Sequence, residues 1–274
     1  MTVHHSRIER IGHGALAAGR AAIELWLVYV STIAGIVRGF QRRRDRRGRA
    51  KGELVRQMFY IGNKSLIFIG VTLGFIGMVM TYQTCLQLSK VTGSDFSQVG
   101  PQLIRLIVTD FGPTITGLML ATRVGAGIAA EIGSMKVTEQ IDALRMSGVL
   151  PVDYLIVPRF IASVIMTLML STLGSVITFG AGGLTADFSF GVNPNTFFDL
   201  SLLRPRHLIL FAIKVVSYGA AIPIVAGFCG LRARGSSEGV GWATTAAVIG
   251  SSFAVIVLDF VISAAALFVT DGDL

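Results

Sequence analysis

Charged residues are scarce in this chain of 274 residues: they make up 15% of it, whereas a soluble domain carries about 25%. Apolar residues make up 52%, which excludes an ordinary soluble globular protein and indicates a membrane protein. Cations outnumber anions, with 24 Lys and Arg against 16 Asp and Glu. Half of these cations precede residue 60, with a cluster at residues 42–51. We therefore attribute the excess to anionic lipid headgroups rather than to nucleic acid.

Residues that bind metals or carry out catalysis are also few. The two cysteines, Cys85 and Cys229, lie in apolar segments without a CxxC pattern, and the four histidines are scattered. Neither a disulfide framework nor a metal site is indicated. The HExxH and Walker A motifs are missing from the sequence, so we expect a non-catalytic chain without a cofactor of its own. The polar, basic N-terminus lacks a signal-peptide pattern, so the spans themselves are expected to direct insertion.

Long apolar stretches are abundant, and they predict the fold. About 20 apolar residues are needed to cross ~30 Å of hydrocarbon as a helix, and five stretches meet that length: residues 64–90, 103–130, 160–186, 207–231 and 241–269. Residues 21–37 are slightly short and are interrupted by Glu24, so we expect an interfacial helix there. The sequence therefore predicts an all-α integral membrane protein, one unit over 1–274, with an N-terminal region (1–60) and a five-span transmembrane core (64–270).

The distribution of cations predicts the topology. If residues 21–37 crossed the membrane, the early arginines would lie opposite the cluster at residues 42–51, against the positive-inside rule. With an interfacial helix instead, the N-terminus lies in the cytoplasm. Five spans then place the connection between the second and third spans on the cytoplasmic side as well.

That connection contains a charged segment, residues 131–148, between two apolar segments. On a 3.6-residue period Val137, Ile141 and Leu144 share one face, which predicts one amphipathic helix. Charged residues line much of the rest of the helix surface and could bind a soluble partner. Together with Glu131 at the start of the segment, the candidate residues are Glu131, Lys136, Glu139, Asp142 and Arg145. The alternative is a solvated helix face without a partner.

Charges inside the spans mark a second candidate site. At 1.5 Å per residue, Asp110 and Lys214 lie ~10 and ~12 Å from the outer ends of their spans, and Asp259, about ten residues before the end of its span, lies at a comparable depth. Such a layer could hold a phospholipid headgroup, with the lipid tails among Met78, Tyr82 and Leu86. The alternative is that Asp110 and Lys214 pair only to neutralise each other and brace the fold.

Two further patterns concern helix contacts. Arg123, Glu131 and Arg159 are expected in a second charged layer at the inner boundary, where they snorkel or pair with one another. Small residues allow helices to approach closely in lipid, and glycines recur at or near helical spacing in the first and third spans: Gly70, Gly74, Gly77, Gly180 and Gly183.

The sequence resembles the MlaE family of permeases, also called YrbE in Mce systems, over nearly the whole chain. The resemblance is carried by FIGMV (75–79), FGP (111–113), RVGAG (123–127), AEIG (130–133), TEQ (138–140), PRF (158–160), EGVG (238–241), ATT (243–245) and LD (258–259). One departure is Thr109-Asp110 before the Gly-Pro, where bacterial phospholipid-trafficking members tend to have Arg-Glu.

This resemblance implies the permease subunit of an ATP-driven lipid transporter in the bacterial inner membrane. Two permease copies, or a copy and a paralogue, would form the lipid pathway. Separate cytoplasmic ATPase subunits would use ATP and Mg²⁺, and a ring of MCE-domain proteins would bind the other side. The segment from Glu131 to Arg145 would be the coupling helix that docks into the ATPase.

Two functions of other classes remain compatible with the residues alone. A secondary transporter could use Asp110, Lys214 and Asp259 as an ion or proton relay without an ATPase. A membrane scaffold that transports nothing is the third possibility. The sequence leaves open which lipid is carried, in which direction, and whether the dimer contains one kind of chain or two.

Overall fold

The computed structural model describes residues 23–35, 47–92, 96 and 98–270. Within these residues the chain is helical and contains no strand. The helices are α1 (Ile23–Gly35), α2 (Arg47–Thr92), α3 (Val99–Leu106), α4 (Gly112–Leu120), α5 (Ala126–Val137), α6 (Gln140–Met146), α7 (Val157–Phe190), α8 (Pro194–Phe197), α9 (Pro205–Leu231) and α10 (Ser237–Thr270).

Five helical stretches are long and apolar enough to cross a membrane, which confirms the predicted fold class. In chain order, spans 1 to 5 are Gly52–Lys90, Val99–Val137, Val152–Phe190, Pro205–Leu231 and Ser237–Phe268. Every helix is longer than its apolar stretch, because backbone hydrogen bonding continues through polar residues outside the hydrocarbon. Helix α2 passes through residues 60–64 without a break, so the helix is continuous across the predicted boundary between the N-terminal region and the transmembrane core. The shorter apolar helix α1 corresponds to the predicted interfacial segment.

Span 2 is a continuous helix with two π-helical turns, Ile107–Phe111 and Ala121–Gly125. A proline at position 113 lacks the backbone N–H, and its ring would clash with the carbonyl four residues earlier in a regular helix. The wider turn just before it accommodates Pro113, since the Gly112 N–H donates to the carbonyl of Ile107 instead. Such turns occur often at functional sites, and this one contains Asp110.

The spans pack in a definite order. Span 1 runs along α7, α9 lies between α7 and α10, and α5 packs against both α9 and α10. The residues at the centre are fully or almost fully buried apolar side chains: Leu73, Leu120, Ile132, Ile156, Leu170 and Ile222. Span 5 is the least covered by the rest of the chain, so most of its surface is available to lipid or to another subunit.

Glycines allow a close contact between the helices α2 and α7. A Cβ atom at Gly77 would overlap the backbone carbonyl of Thr178, so only glycine fits there. Gly70 and Gly74 face Ile177 on the same surface, at 3.3 and 3.6 Å from an added Cβ. The packing expectation was wrong for Gly180, which has open space around it.

The connections between spans define two ends of the bundle. The α6 end contains the connections from span 2 to span 3 and from span 4 to span 5. The α8 end contains the connections from span 1 to span 2 and from span 3 to span 4.

Candidate functional site

Three charged side chains meet where span 2, α9 and α10 come together. The Nζ atom of Lys214 lies 2.7 Å from Oδ1 of Asp110 and 2.8 Å from Oδ1 of Asp259. Lys214 itself has no exposed surface. The predicted shared depth of these residues is therefore confirmed, and we call the three of them the charge cluster.

Neighbouring hydroxyl groups complete the hydrogen bonding of the charge cluster. Tyr218 donates to Oδ1 of Asp259 at 2.7 Å, and Thr114 donates to the same oxygen at 3.0 Å. The Thr109 hydroxyl lies 2.7 Å from Oδ2 of Asp110. We did not identify these residues from the sequence, although a signal exists. Thr114 follows Asp110 by four positions and Tyr218 follows Lys214 by four, so each hydroxyl lies on the same helix face as its charge.

The charge cluster is buried on one side and open on the other. The side chain of Asp110 is 47% exposed and that of Asp259 is 27% exposed, whereas the ammonium between them is enclosed. Two carboxylates around one ammonium leave a net charge of minus one when both are ionised. The more exposed carboxylate, that of Asp110, is therefore the one that could attract a cationic or hydrogen-bond-donating group.

The three apolar residues expected beside the headgroup lie on a different helix. Met78 and Tyr82 are exposed on α2, and Leu86 is half-buried there. Helix α2 packs along α7, whereas the charge cluster lies between span 2, α9 and α10. The ring of Tyr82 contacts Phe190 at the end of α7, with 5.5 Å between the centroids. Their role in holding lipid tails stays a prediction.

The charged segment at the α6 end is not one helix, so that expectation was wrong. Helix α5 ends at Val137, Glu139 adopts a left-handed conformation with φ of 60°, and α6 begins at Gln140. The break arises from tertiary packing, because Ile141 is fully buried in the core with Leu144 against it. Glu131 consequently belongs to the transmembrane span rather than to the segment that leaves it.

Ion pairs hold the two sides of this break together. Lys136 at the end of α5 donates to the carboxylate of Asp142 on α6 at 2.9 Å, and Arg145 lies 3.5 Å from the same carboxylate. The hydrogen bond from Lys136, reinforced by both positive charges, lowers the pKa of Asp142. Glu139 and Arg145 are exposed at this surface, so they are the charges available to a partner.

An ion pair between a buried arginine and a half-exposed glutamate joins the start of span 3 to the end of span 2. Arg159, whose side chain is 5% exposed, lies 2.9 Å from the Glu131 carboxylate and also donates to the carbonyl of Leu155. The predicted pairing at the inner boundary is correct for these two residues. Arg123 does not join this pair among the described residues and donates to the hydroxyl of Ser65 on α2.

A metal centre has no obvious place among the described residues, where no group of three or more His, Cys, Asp and Glu side chains could hold an ion. The arrangement is instead one of charge held within spans. It combines a half-open charge cluster at one level with a hinged, charged segment at the α6 end.

Comparison with known proteins gives a consistent result. A family model described as "Permease MlaE" matches residues 54–265. The "Intermembrane phospholipid transport system permease protein MlaE" of Haemophilus influenzae is 35% identical over 217 residues, 77% of this chain and 81% of that protein. A "Probable ABC transporter permease protein" of Rickettsia felis is 32% identical over 212 residues, again 77% and 81%. "Protein TRIGALACTOSYLDIACYLGLYCEROL 1, chloroplastic" of Arabidopsis thaliana is 34% identical over 211 residues, 76% of this chain and 60% of that protein.

Proposed function

The chain belongs to the MlaE permease family, and on that premise we propose that it is the permease subunit of an ATP-driven lipid transporter, with phospholipid as the cargo. The relatives named as ABC transporter permeases and as a phospholipid transport permease support this assignment. The proposed membrane is the bacterial cytoplasmic membrane, with the N-terminus and the α6 end in the cytoplasm.

The observation that carries the cargo proposal is the half-open charge cluster. A charge inside hydrocarbon is costly and is retained where it serves a pathway or a partner. Lys214 is fully enclosed, so it fixes the two carboxylates in place, and the half-exposed carboxylate of Asp110 offers the contact for a headgroup. The tails would then lie along the exposed apolar surface of the spans while the headgroup is held in the charge cluster.

The proposed coupling route starts at α6. A cytoplasmic ATPase would bind the exposed charges Glu139 and Arg145, and Ile141 would transmit its movement, because this side chain is anchored in the core. The pair between Glu131 and Arg159 ties the moving ends of spans 2 and 3 together. ATP and Mg²⁺ would be used in the ATPase and not in this chain.

Further partners are proposed from the same family membership. A second permease copy or a paralogue would pack against this chain, and span 5, the span least covered by the rest of the chain, offers an apolar surface for it. A ring of MCE-domain proteins would bind at the α8 end. A secondary transporter with an ion relay through the charge cluster is not favoured, because the relatives are named as ABC transporter permeases.

Reconstitution tests the proposal. The complex of this chain with its ATPase is placed in liposomes containing a phospholipid with a fluorescent headgroup, and lipid transfer is followed with ATP, without nucleotide, and with an imposed proton gradient. We expect transfer only with ATP. Transfer driven by the proton gradient alone would favour the secondary transporter, and transfer under none of these conditions would favour a scaffold.

One substitution makes this assay specific for the charge cluster. Asp110→Asn keeps the size of the side chain, and Lys214 keeps Asp259 as its counter-ion, so the fold is retained while the exposed negative charge is removed. We expect slower lipid transfer with unchanged assembly. Asp187→Asn, at an exposed position near the outer end of α7, is the matched control. Equal rates for the two variants would contradict a cargo contact at Asp110.

A further inference from the structure

A cavity of about 360 Å³ lies at the turn between α9 and α10, at the α6 end. Arg232, Arg234, Gly239 and Trp242 line it. Its volume is in the range of small-ligand pockets, about 300 to 1,000 Å³. Two arginines and a tryptophan therefore line a space that is large enough for a polar headgroup.

This cavity is separate from the charge cluster. Trp242 precedes Asp259 by 17 residues on the same helix, which corresponds to ~26 Å along the helix axis. The cavity lies near one end of span 5, whereas the charge cluster lies much farther along the same span. A ligand bound here would accordingly not occupy the proposed cargo site.

The two arginines retain unused hydrogen-bonding capacity. Arg234 forms no ion pair within the part of the chain that the structure describes. Among the described residues, Arg232 pairs with the carboxylate of Glu24 on α1, and the 3.7 Å between the charged atoms is too long for a hydrogen bond. Each guanidinium carries five N–H donors in a planar fork that matches a phosphate group.

The turn that carries these arginines is held in place. Ala233, between them, is buried, and its Cβ lies 3.3 Å from where a Cβ atom at Gly133 of α5 would be. The Arg232 guanidinium lies over the Phe228 ring at 5.1 Å from its centroid. Because the backbone and one guanidinium are positioned in advance, little ordering would be needed for a ligand to bind.

We propose that this cavity binds the phosphate group of an anionic phospholipid of the adjacent leaflet. Arg232 and Arg234 would donate to the phosphate oxygens, and Trp242, which is 63% exposed, would lie at the level of the headgroups, where tryptophan is enriched. Assignment of that leaflet to the cytoplasmic side rests on the proposed function. The lipid is a resident ligand and not the cargo.

The position of the cavity gives the bound lipid a structural role. Gly133, which contacts the turn, lies one helical turn before Val137, where α5 ends at the break before α6. A phospholipid that holds Arg232 and Arg234 therefore holds the turn against the helix that leads into the proposed coupling segment.

Fluorescence of the full-length chain tests the binding directly. The chain has two tryptophans, Trp26 and Trp242, so Trp26→Phe leaves a single reporter in the cavity. This variant, in an uncharged detergent at fixed ionic strength, is titrated with short-chain phosphatidylglycerol and with short-chain phosphatidylcholine. We expect a saturable change in Trp242 emission. Phosphatidylglycerol should bind about tenfold more tightly than phosphatidylcholine, because its headgroup carries no cation to balance the negative phosphate.

Arg234→Gln, added to Trp26→Phe, is the decisive variant, because Arg234 forms no ion pair among the described residues and its loss should leave the fold intact. We expect it to weaken phosphatidylglycerol binding about tenfold, as loss of a charge-assisted hydrogen bond predicts. The control is Arg105→Gln with Arg206→Gln, which removes two exposed cations from the α8 end; its affinity should match that of the parent.

Four results would overturn the proposal. They are equal binding of the two lipids, equal weakening in the control, reproduction of the signal by inorganic phosphate at the same concentration, and, when the complex with the ATPase is purified, release of the ATPase by Arg234→Gln while the parent chain shows no response to phosphatidylglycerol. The third would assign the site to free phosphate and the fourth to an acidic protein segment. The readout is binding, so a chain that binds this lipid but transports nothing would refute the proposed function and leave this inference intact.

Discussion

The ammonium nitrogen of Lys214 lies 2.7 Å from a carboxylate oxygen of Asp110, although 104 positions separate the two residues in the chain. The lysine has no exposed surface, whereas nearly half of the aspartate side chain is exposed. This asymmetry gives the two residues different roles. Lys214 holds α9 to span 2 and span 5, and Asp110 presents charge at the surface of the bundle.

Lys214→Met should destabilise the protein strongly. The substitution leaves Asp110 and Asp259 facing each other without a cation, and removing one partner of a buried ion pair costs about 3 to 5 kcal/mol. Partial exposure of both carboxylates places the loss at the lower end. Thermal unfolding in detergent measures it. The triple variant Asp110→Asn, Lys214→Met, Asp259→Asn should recover most of the lost stability. If Lys214→Met alone melts at the same temperature as the parent, Lys214 does not brace the fold.

Tyr218→Phe isolates one hydrogen bond of the charge cluster. The buried tyrosine donates to Asp259 at 2.7 Å, and hydrogen bonds to charged groups contribute about 1.5 to 3 kcal/mol. We expect a clear fall in melting temperature and slower lipid transfer. Ser217→Ala is the control, since the hydroxyl of Ser217 bonds only to the Ile213 carbonyl of its own helix. Similar effects of both substitutions would show that the contact with Asp259 is unimportant.

The shared depth of the three residues in the charge cluster could be predicted from the sequence because transmembrane helices are regular and straight. With a constant rise per residue, a charge's distance from the span end gives its depth, and this placed Asp110, Lys214 and Asp259 in one layer. The five spans followed from apolar length for the same reason. The hydroxyls of Thr114 and Tyr218 were missed because depth alone does not show which faces of two helices meet.

The break at Glu139 could not be predicted, because residues 138–140 contain neither glycine nor proline. Local preference favours a helix that continues through Val137 toward Ile141. Burial of Ile141 and the ion pair from Lys136 to Asp142 outweigh it. Such contacts depend on where other helices lie, and a periodic pattern in one segment does not contain that information.

Substitutions at Glu139 should report on the left-handed turn. A residue other than glycine in this conformation costs roughly 1 to 2 kcal/mol, so Glu139→Gly should be neutral or slightly stabilising. Glu139→Val should loosen the turn, because a β-branched side chain fits this conformation poorly. Protease sensitivity at residues 137–140 measures the effect. Gln140→Val, in ordinary helical conformation, is the control, and equal sensitivity of both valine variants would contradict the strained turn.

Glu139 also allows a test of partner docking that leaves internal ion pairs intact. Asp142 holds Lys136 and Arg145, so its reversal would disturb the segment itself. Glu139→Lys reverses an exposed charge without that complication. We expect reduced co-purification of the ATPase with Glu139→Lys and a smaller loss with Glu139→Gln. Undiminished co-purification with the lysine variant would show that the ATPase does not use this charge.

Arg159 and Glu131 should respond unequally to substitution. The arginine is buried and the glutamate is about half exposed, so Glu131→Gln leaves a polar partner near a cation whose other bond, to the Leu155 carbonyl, persists. Arg159→Met removes both contacts at once. We expect Arg159→Met to lower the melting temperature more than Glu131→Gln does. The reverse order would show that the pair is held mainly by the exposed carboxylate.

The pair between Lys136 and Asp142 should make the α6 end sensitive to acid. Lys136 lowers the pKa of Asp142 from its ordinary value of 3.8. A lowered pKa means that folding favours the ionised form, so the stabilising contact is fully present above pH 3.8 and is lost as the pH falls through the lower folded value. Asp142→Asn removes the contact at every pH. Hydrogen exchange of amides 138–142 should therefore be faster in this variant than in the parent at neutral pH, by less than about fivefold at so exposed a site. The two proteins should converge in strong acid, and a difference that persists there would assign the effect to something other than this carboxylate.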